Sequence, residues 1–428
     1  MVTTGPVAAG STDRRDTANA EAVRRMTAAD PVLVDVRPAR DVVPGMTDHT
    51  VLASGAPLPW PGYEGGQRDG IIGGVLYEGL AATRGAAEAA LSSGQVTLDG
   101  CHAHGCVGSL AGIYTASMPV FVVEDRDTGR RGFCNFFEGA SPKRLNYGCY
   151  DEEVRQNLRF VERDVAPLVG EAVRRAGGIP LKPLMRRALH MGDELHSRNT
   201  AATLLFGREI YQPLLDLARH DRDGAGRVIS FLIDNEYSFL RLSMAAAKVM
   251  ADAAHGVDGS SVVTAMTFSC CEFAIRVSGL GDTWYRGPHG RIQARLFDGH
   301  GEDEITFMGG ESPITETVGL GGFAQAAAFP LQSYQGGSAQ LMVERNLAMY
   351  QITAAENPDF RIPFFDYRGT PTGIDVFRVL ESGIVPLMDV GVPGTGGGQI
   401  GAGVLEAPMS CFTAAGEAYQ ARYGVRSS

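Results

Sequence analysis

The chain has 428 residues, of which 44% are hydrophobic and 20% charged, and it contains no apolar run near the ~18 residues of a membrane span. Its 38 basic and 49 acidic residues give a net charge of −11, so a basic, phosphate-tracking surface is not expected and nucleic acid is a poor candidate partner. The chain has seven cysteines, no two of which have C-x-x-C spacing, and the N-terminus lacks a signal-peptide pattern. These features favour a soluble protein of the reducing cytoplasm.

The apolar pattern divides the chain into four segments. Residues 1–19 are polar without periodicity, which predicts a disordered leader before a helix that begins near Asn19. Residues 20–150 alternate strand and helix patterns and predict a Rossmann-like α/β domain. Residues 151–256 have helical spacing and predict a small helical domain, whereas residues 257–428 predict a glycine-rich α+β domain. The expected fold class is therefore α/β plus α+β.

Glycine is unusually frequent, with 55 residues, almost twice ordinary usage. The glycines cluster beside strand-like runs, which is typical of turns and of loops whose backbone lines a ligand site. The prolines of Gly55-Ala-Pro-Leu-Pro-Trp60 replace the G-x-G-x-x-G of a dinucleotide site. A formal match at Gly396–Gly401 lies in a glycine-rich tail, where turn or packing use is the expected interpretation. No cofactor is predicted.

The densest group of polar residues runs from His190 to Thr200. On a helix, His190 and Glu194 would lie one turn apart and share a face, beside a buried Met191. A Glu and a His within reach of each other suit proton transfer, and an Arg beside an Asn suits an anionic, amide-bearing ligand. A satisfied polar helix end is the alternative, and H-x-x-x-E-x-H is not the H-E-x-x-H of zinc enzymes. The candidates are Asp193, Glu194, His196, Arg198 and Asn199.

A second group, Cys101-His102-Ala-His104-Gly-Cys106, follows a predicted strand. Structural zinc sites gather ligands from two separated knuckles, and only one is present, so no metal is predicted. A nearby histidine could lower the pKa of Cys101 and make it a nucleophile. Buried, inert thiols at a strand end are the alternative.

Glycine-rich turns form the third group, at Arg276–Trp284, Gly309–Gly322 and Gly394–Gly403. Consecutive backbone N–H groups in such turns can cradle an anion, although packing is their commoner use. Arg276 and Glu316 lie beside these turns, where a ligand would satisfy their charge. The chain lacks G-x-x-x-x-G-K-[ST] and G-x-S-x-G, which disfavours common kinase and hydrolase chemistry.

The string Met191-Gly-Asp-Glu-Leu-His-Ser-Arg-Asn199 is similar to the M-G-D-E-x-H-x-R-N signature of the YlbE-like (AllG-like) family, long a domain of unknown function. Other segments resemble the family's motifs in the same order, across roughly residues 20 to 415. These segments are Thr115–Pro119, Ser261–Met266, Ile275–Gly281, Ile314–Thr317 and Gly398–Gly403. On these motifs the chain is identified as a member of the family.

The resemblance implies the three domains named above and a component of oxamate carbamoyltransferase, which interconverts oxalurate plus phosphate with oxamate plus carbamoyl phosphate. It also implies an FdrA-like partner subunit. The chain departs from the family branch at Cys101–Cys106 and at Ser269-Cys-Cys271, which leaves the substrate open. It also lacks the Ser-x-Arg-Thr-Arg phosphate motif of ordinary carbamoyltransferases. The residues carried over as site candidates are Asp193, Glu194, His196, Arg198, Asn199, Arg276, Ser278, Glu316 and Gln399.

Three hypotheses remain open on the sequence: a carbamoyltransferase or its catalytic subunit, a stand-alone C–N hydrolase or cyclase of a small amide, ureide or imide, and a non-catalytic subunit. The expected partners are a small amide or ureido acid and phosphate, and a homo-oligomer is the base-rate expectation. The predicted catalytic residues are Glu194, His196, Asp193 and Cys101. The predicted substrate-binding residues are Arg198, Asn199, Arg276, Ser278, Gly279, Thr315, Glu316 and Gln399.

Overall fold

The computed structural model describes residues 9–139, 141–219, 222–235, 237–306 and 308–424. The helices are α1 Ala9–Ala28, α2 Ala39–Val42, α3 Gly65–Glu78, α4 Arg84–Ser93, α5 Glu152–Phe160, α6 Ala166–Arg175, α7 Leu181–Leu189, α8 Thr200–Leu217, α9 Arg222–Ile233, α10 Leu240–Ala253, α11 Ile314–Thr317, α12 Gln332–Gln335, α13 Ala339–Met349, α14 Val376–Ser382 and α15 Met409–Tyr423. The strands are β1 Pro31–Pro38, β2 Thr50–Ala53, β3 Thr97–Gly100, β4 Cys106–Val107, β5 Pro119–Asp125, β6 Arg131–Asn135, β7 Ile179–Pro180, β8 Val263–Phe268, β9 Phe273–Val277, β10 Tyr285–Gly287, β11 Arg291–Leu296, β12 Thr353–Ile362, β13 Arg368–Ile374, β14 Leu387–Pro393 and β15 Gln399–Glu406. Within these ranges, no helix is both long and apolar enough to span a bilayer.

The first helix begins earlier than the sequence suggested. Because α1 is helical from Ala9, the prediction of a disordered leader is wrong for residues 9–19, and residues 1–8 lie outside the described residues. Asn19 lies within α1 and is buried. Its Nδ2 donates to Ser261 Oγ at 3.0 Å and to Asp375 Oδ2 at 3.3 Å, and its Oδ1 accepts from the Ser261 N–H at 2.8 Å. These buried contacts hold α1 against the rest of the chain.

Replacing Asn19 by Ala is expected to lower the free energy of unfolding by about 2–3 kcal/mol, because Ser261 and the Asp375 carboxylate would stay buried without their amide partner. Urea unfolding measures this loss. Arg24→Ala is the control, since among the described residues Arg24 pairs with Glu21 on the exposed side of the same helix, and it is expected to change nothing measurable. Equal effects of the two substitutions would contradict the docked position of Asn19.

The main sheet has the strand order β4-β6-β5-β1-β7. β1 pairs antiparallel with β5 and β7, and β5 pairs antiparallel with β6. Only the short β4 pairs with β6 in parallel. A Rossmann-like sheet needs parallel strands joined by helical crossovers, so that expectation is wrong for this sheet, although the mixed α/β character is as predicted. A local βαβ unit is formed by β2, α3, α4 and β3, whose two strands pair in parallel.

Helix α10 lies in the interior and is buried along almost its whole length. Its Ala-rich, apolar sequence favours helix and suits burial on every side. The strand β6 approaches it closely because residue 132 is glycine, where a Cβ would lie 2.9 Å from the Ala245 carbonyl oxygen. The basic residues Arg241 and Lys248 are therefore carried into the interior, where their charges need partners.

One hydrophobic core joins all the predicted segments after residue 20. The same cluster contains Val36, Val169, Ala246 and Leu320, which come from the segments 20–150, 151–256 and 257–428. The helices α5 to α10 fall in the segment expected to be helical. The boundaries at residues 150 and 256 stay predictions, and the shared core shows that the segments pack as one interior.

The C-terminal part forms three small sheets, β10-β9-β8, β11-β15-β14 and β12-β13. A glycine-rich stretch between β11 and β12, which we call the 308–322 segment, packs this part against the N-terminal part. The backbones of Gly310 and Phe268 exchange two hydrogen bonds of 2.8 and 3.0 Å. A side chain at Gly309 would overlap Ser54 and Gln67, so glycine permits the close passage that carries the chain to Glu311, two residues later.

Candidate functional site

The 308–322 segment places Glu311 against the loop that follows β4. The Glu311 N–H donates to the Gly108 carbonyl at 2.8 Å, and the Gly108 N–H donates to Glu311 Oε2 at 2.7 Å. Oε1 is buried and has no hydrogen-bond partner among the described residues. Burial raises the pKa of Glu311 to about 8, against the opposing effects of the Gly108 N–H and of Lys248. At neutral pH this carboxyl mostly holds a proton that it can donate.

The imidazole of His102 lies beside this carboxyl. Its Nε2 is 4.0 Å from Glu311 Oε1, and neither ring nitrogen has a hydrogen-bond partner within the described ranges. The ring meets Trp284 edge-on, with 5.4 Å between centroids. Burial, and then the charges of Lys248 and Arg276, lower the pKa of His102 well below its usual value. A neutral, buried imidazole with both nitrogens unsatisfied is a group that a ligand or water would complete.

Two buried cations lie next to this pair. Lys248 Nζ lies 2.8 Å from Asp252 Oδ2, and Arg276 Nη2 donates to Asp252 Oδ1 at 3.1 Å. Burial lowers the pKa of Lys248, and the two cations lower the pKa of Asp252 although burial opposes them. In the described part of the chain, Arg276 Nε has no hydrogen-bond partner. We call His102, Lys248, Asp252, Arg276 and Glu311 the Glu311 cluster; its two basic residues share one ionised buried carboxylate, which suits an anionic ligand.

The Glu311 cluster approaches the surface at the loop between β9 and β10. Arg276 Nη1 lies 3.5 Å from Asp282 Oδ1, and the Asp282 side chain is 89% exposed. The Arg276 guanidinium also lies 5.6 Å from the centre of the Trp284 ring. His255 contacts the same Asp282, with Nε2 3.3 Å from Asp282 Oδ1 and Nδ1 2.9 Å from Thr264 Oγ1. Arg276 therefore links the Glu311 cluster to an exposed side chain.

A second buried group, which we call the carboxyl cluster, consists of Glu194, His196, Glu316 and Asp389. His196 Nδ1 lies 2.7 Å from Glu316 Oε1, which also accepts the N–H groups of Gly322 and Asp389, each at 3.0 Å. Thr315 Oγ1 donates to Glu316 Oε2 at 2.9 Å. Glu316 raises the pKa of His196 although burial opposes it. The structure thus brings together four predicted site residues, Glu194, His196, Thr315 and Glu316.

Buried hydrogen bonds tie the carboxyl cluster to its surroundings. Glu194 accepts the backbone N–H groups of residues 196–198, at 3.0 Å from the first and 3.1 Å from the last. Burial and the nearby Asp389 raise the pKa of Glu194 well above its usual value, and burial with a neighbouring carboxylate raises the pKa of Asp389. Gln325 and Gln335 donate to Asp389 Oδ1 at 2.8 and 2.9 Å. This network ties the 190–199 loop to α11 and β14.

The M-G-D-E segment is a loop and not the expected helix. Residues 190–199 lie between α7 and α8, so His190 and Glu194 share no helical face. Met191, expected to be buried, is 50% exposed, and Leu195 has a positive φ of 72°. The inward-turned Glu194 carboxylate takes the N–H groups that a helix would have used, which is the physical reason for the difference.

Three further predicted residues stabilise this loop and the start of α8. Asp193 Oδ2 accepts the Ala202 N–H at 2.8 Å, in the first turn of α8, where a negative charge is favourable. Arg198 Nε donates to the Gly192 carbonyl at 2.9 Å, and Asn199 Nδ2 donates to the His196 carbonyl at 2.7 Å. Their roles in catalysis or substrate binding stay predictions.

The remaining predicted residues are spread over the molecule. Ser278 Oγ donates to the Ala254 carbonyl at 2.6 Å, and the Gly279 N–H donates to the Ser260 carbonyl at 2.9 Å. Gln399 Oε1 accepts from Tyr147 Oη at 3.1 Å, away from both clusters. Of the residues that the sequence assigned to the glycine-rich turns, Arg276 belongs to the Glu311 cluster, whereas Thr315 and Glu316 belong to the carboxyl cluster.

Cys101 has an environment opposite to the one predicted. Its thiol donates to the Gly112 carbonyl at 3.3 Å, and burial together with Glu311 raises its pKa well above the usual value. The expected lowering by a histidine is therefore not what the structure supports. His104 turns away and lies 3.0 Å from Asp99 Oδ2. Across the described ranges, no three His, Cys, Asp or Glu side chains are arranged to hold a metal.

Glu311 lies in the predicted glycine-rich turn Gly309–Gly322 and His102 in the predicted Cys/His group, but neither was among the predicted site residues. Lys248, Asp252 and Asp389 were not predicted either. A signal for Lys248 was available, since a lysine within the apolar run of α10 must be buried and paired. Asp389 had no comparable signal, because an aspartate in a strand is equally compatible with an exposed face.

Because the pKa of Glu311 is raised to about 8 from its usual 4.5, the folded chain keeps a proton that the unfolded chain releases. Folding stability is therefore expected to fall as pH rises from about 4.5 to about 8, by on the order of 4 kcal/mol from this group, and to lose no more from it above that range. Urea unfolding at pH 5.5, 7 and 8.5 measures the slope. Glu311→Gln should show a shallower slope; equal slopes would contradict the buried, protonated carboxyl.

The fold and the Glu311 cluster define a mixed α/β protein with an enclosed acid–base group beside two cations, an arrangement that can move a proton and hold an anion. A family model described as "Oxamate carbamoyltransferase subunit AllG" matches residues 96–312, about half of the chain. The chain belongs to this family, which confirms the resemblance predicted from its motifs.

Relatives from two bacteria agree with this placement. The chain is 35% identical over 415 residues to the uncharacterized protein YahG of Escherichia coli K12, covering 96% of this chain and 88% of YahG. It is 35% identical over 413 residues to the oxamate carbamoyltransferase subunit AllG of the same organism, covering 95% and 98%. The structure is similar to the crystal structure of a conserved protein of unknown function from Enterococcus faecalis V583, with a TM-score of 0.93, 35% identity and coverage of 96% and 99%.

Proposed function

We propose that this chain is a subunit of a carbamoyltransferase that interconverts an oxalurate-like ureido acid and phosphate with an oxamate-like amide and carbamoyl phosphate. Family membership and the likeness to the AllG subunit support the reaction class. One observation carries the assignment of the chemical step to this chain: Glu311 is a buried carboxyl with a pKa of about 8 beside an imidazole, His102, whose nitrogens have no partner among the described residues.

In the direction that forms oxamate, a phosphate oxygen attacks the carbamoyl carbon, the C–N bond breaks, and its electron pair stays on the nitrogen. That nitrogen needs a proton, which Glu311 supplies; in reverse, Glu311 takes the proton back. The neutral His102 donates an N–H to the carbamoyl oxygen as negative charge develops there. Lys248 and Arg276 hold the carboxylate of the amide, so that the reacting nitrogen lies near Glu311.

The carboxyl cluster has a supporting role in this proposal. Glu316 lies five residues after Glu311 in the same 308–322 segment, and its contacts with His196 and Asp389 hold that segment in place. The sequence-based assignment of proton transfer to Glu194 and His196 stays a competing prediction. The two assignments differ in what a substitution at His196 should do.

A hydrolase is the second candidate, because the same acid–base pair could direct water to the carbamoyl carbon. Its thiol version has less support, since Cys101 is buried and burial with Glu311 raises its pKa. A subunit that binds without catalysing is the third candidate. It predicts that no substitution in the Glu311 cluster affects the chemical step of the complex.

The test uses the purified chain, alone and with an FdrA-like partner subunit, incubated with oxalurate and phosphate in ¹⁸O-water and followed by mass spectrometry. Carbamoyl phosphate formed only with phosphate and free of ¹⁸O is the expected result. Release of oxamate and carbamate without any need for phosphate would support hydrolysis. Absence of turnover in both mixtures would contradict a transferase acting on oxalurate with such a partner.

A further inference from the structure

Two arginines outside the Glu311 cluster converge on one aromatic ring. The guanidinium carbon of Arg144 lies 4.1 Å, and that of Arg241 5.7 Å, from the centre of the Phe137 ring. Arg144 also lies 5.5 Å from the centre of the Tyr147 ring. We call Arg144 and Arg241, with the aromatic rings of Phe137 and Tyr147, the arginine cluster. Like charges gather around one ring only if another group offsets their repulsion.

The described carboxylates offset this charge only in part. Neither Arg144 nor Arg241 has a carboxylate within 4.0 Å among the described residues. Arg144 Nε donates instead to the Ser141 carbonyl at 3.0 Å, and Arg241 Nη1 donates to Asn135 Oδ1 at 3.1 Å. Arg241 is 3% exposed, and its Nε has no hydrogen-bond partner among the described residues. A buried guanidinium with an unused N–H is costly unless a ligand completes it.

Glu138, a buried carboxylate near both arginines, is already occupied. It accepts the N–H of Leu145 at 2.6 Å and the N–H and Nδ2 of Asn146 at 2.9 and 2.7 Å. With its oxygens used by three donors, Glu138 offsets one of the two guanidinium charges at a distance. Within the described residues, the arginine cluster is therefore left with one positive charge and with an unused N–H at Arg241 Nε.

Hydroxyl and amide groups from the C-terminal part contact the arginine cluster. Tyr147 Oη donates to Gln399 Oε1 at 3.1 Å, and Gln399 Nε2 donates to Tyr334 Oη and to the Gly401 carbonyl at 2.9 Å. Gln399, predicted from the sequence to bind substrate, thus lies beside the arginine cluster and not beside Glu311. Guanidinium forks with neighbouring hydroxyl groups are suited to a phosphate or a carboxylate.

Helix α10 connects the arginine cluster to the Glu311 cluster. Arg241 and Lys248 are seven residues apart, so they lie on the same side of α10 about 10 Å apart along its axis. Cys134 of β6 borders both groups: burial raises the pKa of its thiol to about 11, Arg241 opposes this rise and Glu311 adds to it. One buried helix therefore carries two cationic positions toward neighbouring parts of the same interior.

We propose that Arg144 and Arg241 form an oxyanion-binding site, which takes the phosphate of the carbamoyl-transfer reaction. The identity of the anion rests on the proposed function, whereas the site itself rests on the two partly unsatisfied guanidinium groups. Lys248 and Arg276 would then hold the organic acid, and α10 would align the two reactants. This arrangement would supply the phosphate site that the absent Ser-x-Arg-Thr-Arg motif provides elsewhere.

The test is isothermal titration of the full chain with inorganic phosphate and, separately, with oxamate. We expect phosphate binding to weaken at least tenfold in Arg241→Gln and in Arg144→Gln, with oxamate binding less affected. Arg163→Gln, at an exposed position, is the matched control and should bind phosphate as the unaltered chain does. Near-ultraviolet circular dichroism verifies folding, and the half-buried Arg144 provides a variant that should fold if Arg241→Gln does not.

Phosphate affinity in folded Arg144→Gln equal to that of the control would overturn the site, as would absence of phosphate binding to the unaltered chain at millimolar concentration. Selective loss of oxamate binding would overturn the assignment to phosphate. Glu311→Gln separates this inference from the proposed function, because it should retain phosphate binding while it loses turnover. Phosphate binding that depends on the arginines without carbamoyl transfer in any mixture would support the site and contradict the function.

Discussion

Replacing Glu311 by Gln is expected to lower the rate of carbamoyl transfer by about 10²- to 10⁴-fold, the usual contribution of a general acid. Gln keeps the size of the side chain and its contact with the Gly108 N–H, but it has no proton to give to the leaving nitrogen. Substrate binding should change little, so the loss should appear in kcat more than in KM. Steady-state kinetics on the complete enzyme measures both quantities.

The pH dependence strengthens this prediction. Because burial raises the pKa of Glu311 to about 8, transfer toward oxamate should require its protonated form and decline as pH rises through about 8. The Glu311→Gln variant should lose this limb of the profile. The control is Glu302→Gln, an exposed glutamate of the same part of the chain, which should have normal kcat and an unchanged profile. A Glu311→Gln enzyme with normal kcat would place the chemistry elsewhere.

Replacing His196 by Ala is expected to lower the free energy of unfolding by about 3–5 kcal/mol, because it removes one partner of a buried pair and leaves Glu316 without the imidazole at 2.7 Å. The effect should depend on pH. Since Glu316 raises the pKa of His196 against the effect of burial, the stabilisation is fully present below the histidine's usual pKa and is lost as pH rises through the raised value.

Urea unfolding of the unaltered chain and of His196→Ala at pH 6 and pH 9 measures this loss, and the difference between the two should shrink at pH 9. The control is His190→Ala, which removes an exposed histidine from the same loop and should alter stability little. If His196→Ala kept its stability but abolished turnover, the proton transfer would belong to Glu194 and His196, and the supporting role proposed for the carboxyl cluster would fail.

Several elements of the fold could be predicted because their patterns are local. The helical spacing predicted for residues 151–256 corresponds to helices α5 to α10. The pairing of strands was not predictable in the same way. β1 reads as the first strand of a βαβ unit, yet it pairs antiparallel with β5, because the choice of partner depends on contacts between residues far apart in the chain.

The residues of the candidate site also differ in whether a local pattern or only long-range contacts reveal them. The M-G-D-E motif identified the family, but it did not reveal that the segment is a loop or that His196 pairs with Glu316. The position of Lys248 within an apolar run indicates only that it is buried and paired, and Glu311 carries no comparable local signal. Lys248 becomes significant because α10 is buried, and Glu311 because the 308–322 segment passes close to Gly108.

The sequence by itself determined the family, the mixed α/β class and the helical character of residues 151–256, since these depend on motif identity and on the short-range periodicity of apolar side chains. Only the tertiary structure decided which polar groups are enclosed together. The pKa values of Glu311 and Glu194, the nitrogens of His102 and Arg241 that lack a hydrogen-bond partner among the described residues, and the pairing of His196 with Glu316 all arise where distant segments exclude water. Exclusion of water is a property of the packed interior and is encoded in no single stretch of the chain.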